Sequence, residues 1–306
     1  MPTPVTYLSG GLQCAADLYL PPDLKPGERR PVLVLGHGFS LVKETLSAQA
    51  DYFSRGGFVV VAIDYRSFGQ SAGDIRGQLF PQNEVEDFRN AISWLQARPE
   101  VDPQRIGLWG ASFAGALVSY TAAVDRRAKA TVAVVPVTDG YEWMRLLRSR
   151  QHFEELLAAV DADRAERYAG RPGRRIPVAA LAGELCGIPS DPDVIQFFGQ
   201  LQQACPSWRD TITLESIERI LEFSPLAMVA RITPRPYLII STAGHDVVHP
   251  ADSVAELFER ARQPKRLEFL PYAQTELYVE PGLSRGNQLA LDFYREHLGV
   301  GGGGII

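Results

Sequence analysis

The chain reads as an α/β protein: a doubly wound, mostly parallel sheet interrupted by a helical insertion. Three observations carry that reading. Short apolar runs alternate with amphipathic stretches between residues 32 and 135, as expected of strands buried on both faces of a parallel sheet. The alternation stops at about residue 138 and resumes at about residue 226. A length of 306 residues suits one large domain carrying a cap better than two independent domains.

Taken in order, residues 5–20 alternate apolar and polar around Gly10-Gly11, the pattern of a β-hairpin. Val32 to Leu35 is a short apolar run ending at Gly36 and predicts the first buried strand. Residues 43–55 are helical in pattern and 58–63 form the next buried strand. An amphipathic helix is expected over 84–97, with Asn83 as its N-cap. Residues 106–109 predict a strand, 113–124 a helix and 130–135 a strand. The segment 138–225 is helical, charged and interrupted by prolines, with no buried-strand signal. The rhythm then returns with strand 237–241, helix 251–262, strand 266–270 and helix 284–298. Residues 1–137 and 226–300 are therefore read as one core, and 138–225 as a helical cap over the carboxyl edge of its sheet. The glycine run 301–304 reads as a frayed tail outside the fold.

Composition excludes several classes. The formal charge is −5 and the basic residues are scattered, so no nucleic-acid footprint is expected. The densest basic stretch, Arg171 to Arg175, lies near Arg164 and Arg167, which interleave with Asp163 and Glu166 and read as a solvated face. The three cysteines match neither a metal motif nor a disulfide framework, which points to a reducing, cytoplasmic setting. The N-terminus does not read as a signal peptide. No apolar run approaches the ~20 residues a membrane span needs. The expected partner is a small-molecule substrate, with no cofactor, no metal, no nucleic acid and no membrane; a homodimer stays open.

Three segments carry chemistry. Gly110-Ala111-Ser112-Phe113-Ala114-Gly115 follows a strand directly and precedes a helix directly. This is the setting of a nucleophile elbow, whose sharp turn demands small neighbours of the serine; Ala114 stands where a second glycine is usual. Leu35-Gly36-His37-Gly38-Phe39 closes the first core strand. A turn there presents backbone N–H groups beside the elbow, so the amides of Phe39 and Phe113 are the expected oxyanion hole. His37 is expected to support this turn. Gly244 to Pro250 follows strand 237–241, and Asp246 in it is the expected catalytic acid. Asp139 is a weaker candidate.

These segments resemble the α/β-hydrolase superfamily, in its dienelactone-hydrolase-like and X-prolyl-peptidase-like acyl-hydrolase branch. The resemblance also covers Asp64 to Gly69 with Ser71 and Gly73, the helix from Val85 to Leu95, and Val101 to Gly107 leading into the elbow. It implies hydrolysis of esters, lactones or amides without a cofactor. It also implies a histidine in the loop after the last strand, where this chain reads Leu270-Pro271-Tyr272-Ala273-Gln274-Thr275. Anchored on Pro271 and Tyr278, the histidine position holds Gln274, or Thr275 on a one-residue slip, and neither is a base; the expected triad is Ser112, Gln274 and Asp246.

Glutamine does not titrate near neutrality, and losing a triad member typically costs ~10⁴–10⁶ in turnover. Of the five histidines, His249 and His152 are the alternative bases, His249 the better for its place just beyond Asp246. Three readings follow. The first is a carbonyl-polarising enzyme that runs non-hydrolytic chemistry such as cyclisation, elimination or rearrangement. The second is a serine esterase or lactonase with a relocated histidine. The third is a binding protein without activity. Cap residues Tyr141, Trp143 and Met144 suit a bulky apolar substrate.

Overall fold

The computed structural model describes residues 2–190, 192–273 and 275–300. Eight strands form the central sheet: β1 (Thr3–Ser9), β2 (Leu12–Tyr19), β3 (Arg30–Gly36), β4 (Val59–Ile63), β5 (Val101–Ala111), β6 (Ala128–Val134), β7 (Tyr237–Thr242) and β8 (Lys265–Leu270). Their spatial order is β1-β2-β4-β3-β5-β6-β7-β8. β1 and β2 form the expected hairpin, with Gly10 and Gly11 both at positive φ in its two-residue turn. β2 runs antiparallel to β4, and every later pairing is parallel. All residues of β3 and β4 are buried, which is why both read as continuous apolar runs.

Helices cover both faces: α1 (Ser47–Arg55), α2 (Pro81–Gln96), α3 (Phe113–Val124), and, after the cap, α8 (Ala251–Arg260) and α9 (Gly282–Leu298). Two local expectations shift. A 3₁₀ turn, Lys43–Leu46, precedes α1. α2 begins at Pro81 rather than after Asn83, because proline at the first helical position lacks only an N–H that would have no intrahelical partner.

The inserted segment, residues 138–225, holds α4 (Gly140–Leu146), α5 (Arg150–Tyr168), α6 (Pro192–Ala204) and α7 (Leu214–Leu221). It is not purely helical as expected: Arg175–Pro177 pairs with Thr211–Thr213, and Ala179–Leu181 with Ile188–Ser190. Each of these strands is three residues long, too short to leave a periodic signal. In and beside the basic stretch, Arg167 contacts Asp163, Glu215 and Glu218, and Arg171 contacts Glu166.

Register positions the site. Gly36 at the end of β3 pairs with Gly110 near the end of β5, so the two turns that follow leave the sheet side by side. The Asp64–Gly73 segment braces the first turn from behind. The Asp64 carboxylate accepts from the amides of Lys43 (2.8 Å) and Gln70 (2.9 Å), and the Ser71 hydroxyl donates to the Asp64 carbonyl. Gly69 has a positive φ, and a Cβ there would stand 2.1 Å from the Asp64 carboxylate.

Candidate active site

The local sequence forces the elbow. β5 delivers the chain to Ser112, and α3 starts at the next residue. Ser112 adopts φ 57° and ψ −121°, a strained conformation for a residue with a Cβ. Hydrogen bonds on both sides hold it: its N–H donates to Val134 O (2.9 Å), and its carbonyl accepts from Val137 N (3.2 Å) and Ala116 N (3.3 Å). The turn is tight enough that a Cβ on Gly110 would lie 2.4 Å from Ala114 O.

Around Ser112 the structure assembles a hydrogen-bonded line. The Ser112 Oγ lies 2.8 Å from His249 Nε2. The other ring nitrogen, His249 Nδ1, lies 3.1 Å from Asp246 Oδ2 and 3.2 Å from Oδ1. A carboxylate only accepts, so Nδ1 carries the proton and Nε2 is left to accept from the serine hydroxyl. The His249 side chain is fully buried. Asp246 Oδ1 also accepts from Val248 N (2.9 Å) and His249 N (2.8 Å). The carboxylate thus folds its own loop into an Asx-type turn and swings the imidazole back over itself.

The family resemblance points to position 274 for the base, where the sequence offers no titrating residue. Gln274 lies outside the described residues. His249, read from sequence as the better of two alternatives, stands between Ser112 and Asp246, so the geometry removes the reason to look for a base at 274. The signal was present in the Asp-x-x-His spacing before Pro250, which lets an imidazole reach a carboxylate three residues back. His152, the other alternative, lies in α5 and lines a cavity of about 320 Å³ whose lining residues all fall between Leu147 and Pro189. Asp139 instead caps α4, accepting from Glu142 N. His245 is exposed, and His297 packs on Phe293 in the last helix.

The oxyanion turn lies against the elbow: a Cβ on Gly38 would be 3.8 Å from Ser112 Cβ. Phe113 is the first residue of α3, so its amide has no partner within the helix. His37 is buried, and burial drops its ring to about 3, so it is neutral. Its Nδ1–H donates to Gly38 O at 3.1 Å. That carbonyl belongs to the same rigid peptide plane as the Phe39 N–H, so His37 orients the expected oxyanion donor. A His37→Phe variant keeps the volume and loses the bond. It is expected to lower kcat by roughly tenfold, with KM little changed; steady-state kinetics on an aryl ester checks this.

The expected substrate-pocket residues divide. Tyr141 is 44% exposed and packs edge-on against Phe153. Trp143 and Met144 are buried (4% and 0% exposed) and pack into the core. Burial pushes the thiols of Cys14, Cys186 and Cys205 up, which suits none of them as a nucleophile. Among the described residues no helix is long and apolar enough to cross a membrane, and no group of three or more histidine, cysteine or acidic side chains is placed to hold a metal ion.

Comparison with known proteins agrees with this architecture. The profile of the X-Pro dipeptidyl-peptidase family, S15, matches residues 10–272. Thiohydrolase aneE of Aspergillus aculeatus is 27% identical over 85% of this chain and 81% of its own length. Polyketide transferase grgF of a Penicillium species is 25% identical over 89% and 90%, and the quorum-quenching protein AidA of Acinetobacter baumannii 26% identical over 96% and 94%. Among solved structures, α/β hydrolase GrgF from Penicillium superposes with a TM-score of 0.81 at 24% identity, covering 97% of this chain and 99% of that one. DcsB, solved with a substrate analogue, superposes at 0.83 with 24% identity, over 97% and 100%. At that identity the two structures speak to the fold.

Proposed function

Since the chain belongs to the X-Pro dipeptidyl-peptidase (S15) family of α/β hydrolases, we propose that it is a serine acyl hydrolase or acyltransferase in which His249 is the base. The observation that carries this reading is the 2.8 Å contact between Ser112 Oγ and His249 Nε2, with His249 Nδ1 on Asp246. It is the relocated-histidine alternative of the sequence reading.

The proposed cycle follows from the contacts. His249 Nε2 takes the Ser112 proton as Oγ attacks the acyl carbonyl. The developing oxyanion is met by the Phe39 and Phe113 amides. Asp246 stabilises the imidazolium and keeps its tautomer. His249 then protonates the departing alcohol or thiol, leaving an acyl ester on Ser112. Water, or an acceptor hydroxyl in a transfer reaction, loses its proton to His249 as it attacks the acyl carbonyl; the Ser112–acyl bond then breaks and His249 returns the proton to Ser112 Oγ. The names thiohydrolase, polyketide transferase and acyltransferase among the relatives support an ester or thioester of a small organic acid as the donor.

The test is pre-steady-state mixing with an S-aryl thioester. A burst of thiol matching the enzyme concentration is expected, with an acyl mass adduct on the Ser112 peptide. Turnover that shows neither, and that survives Ser112→Ala, would overturn the reading.

A further inference from the structure

Placing acid and base three residues apart on one loop creates a mechanical problem. The turn 245–247 faces solvent on one side, with Val247 61% exposed. Its internal bonds all run to the Asp246 carboxylate. Those bonds fix the imidazole relative to the aspartate, but not the pair relative to Ser112.

The loop's start is anchored by Gly244 N–H on Tyr272 O at 3.0 Å, and a second tie, next to the imidazole itself, comes from α4. The Trp143 indole Nε1–H, on α4, donates to Val248 O at 3.0 Å. That carbonyl shares its peptide plane with the His249 N–H, which donates to Asp246 Oδ1 at 2.8 Å. The peptide leading into His249 is therefore held at both ends: by the cap at its oxygen and by the acid at its nitrogen. The same indole stacks on Phe113 (ring centroids 5.7 Å, 28°) and meets Phe39 edge-on (5.6 Å, 73°). These are the two residues whose amides form the oxyanion hole of the proposed function. Phe39 is braced from the cap a second time, by Gly187, on which a Cβ would stand 2.8 Å from the Phe39 ring. Arg148 holds that glycine through its carbonyl at 2.8 Å.

We propose that Trp143 is a positioning residue for the catalytic base: it fixes the Asp246–His249 turn and both oxyanion residues to the cap, so that the proton acceptor and the oxyanion donors keep one relative placement. This rests on His249 being the base. The indole makes both contacts at once: its N–H reaches the Val248 carbonyl while its face packs on Phe113. Proton transfer from Ser112 depends steeply on donor–acceptor placement, so loosening the turn slows chemistry more than binding.

Trp143→Phe keeps a ring on Phe113 and removes the donor. The variant is expected to lose roughly tenfold in kcat, with KM within about twofold. Labelling of Ser112 by a fluorophosphonate, counted per folded molecule, is expected to fall in parallel. The downfield proton resonance of the His249 Nδ1–H is expected to broaden or move upfield, because the ring no longer keeps one orientation. Trp143→Ala serves as a fold control: it removes the stacking as well, and is expected to lower thermal stability where Trp143→Phe largely keeps it. Unchanged kcat, labelling rate and Nδ1–H resonance in a folded Trp143→Phe protein would overturn the proposal. Should His249→Asn retain wild-type turnover, the underlying reading fails instead, which keeps the two failures apart.

Discussion

Replacing His249 by asparagine is expected to lower turnover by about 10⁴-fold or more, as loss of a triad member typically does. Ser112→Ala should cost a similar factor, and the double variant little more than either, because a nucleophile without its base and a base without its nucleophile fail at the same step. Asparagine leaves the Asx-type turn intact, since the Val248 and His249 amides still reach Asp246. Stability should therefore change little, and the loss is chemical. Steady-state kinetics on an aryl thioester, with thermal melting as control, checks the result. A smaller, still substantial loss is expected for Asp246→Asn, whose side-chain NH₂ would face the His249 Nδ1–H.

The second large effect is structural. A side chain at Gly110 would place its Cβ 2.4 Å from Ala114 O and 2.5 Å from Ala114 C. Both are backbone atoms of the first turn of α3 and cannot move aside without undoing the elbow. Gly110→Val is expected to cost about 3 kcal/mol and to abolish activity. The contrast is Gly38, on the facing turn, where a Cβ would meet Ala111 O at 3.5 Å and Ser112 Cβ at 3.8 Å. Those are ordinary contacts, so Gly38→Ala should stay within about 1 kcal/mol of the parent. Melting of the two variants side by side checks the argument, and equal stabilities would contradict it.

Much of this architecture was legible in the sequence for reasons of local physics. β3 and β4 are covered on both faces, and that burial is written as unbroken apolar runs. The elbow was legible because a strained serine turn tolerates only small neighbours, and Gly110, Ala114 and Gly115 supply them. The three-residue strands of the cap were not legible, since strands so short carry no period. His249 was visible but undervalued. A histidine beside a turn aspartate is an ordinary surface feature, and the family pattern directs attention to position 274. What separates His249 from such a residue is long-range: the arrival of Ser112, 137 positions earlier, at 2.8 Å from its Nε2. Trp143 was read as a substrate contact for a related reason. Its aromatic character was apparent, but its partners Val248, Phe39 and Phe113 lie on three other segments that only the tertiary fold brings to it.

The central claim is that Ser112 is activated by His249. The most direct test is the rate at which a fluorophosphonate labels Ser112, followed by intact mass and peptide mapping, in the wild type and in His249→Asn. The wild type is expected to acquire one adduct, on Ser112, and His249→Asn to label slower by three orders of magnitude or more, on the order of the cost of losing the base. Labelling of Ser112 at the same rate in both proteins would contradict the account.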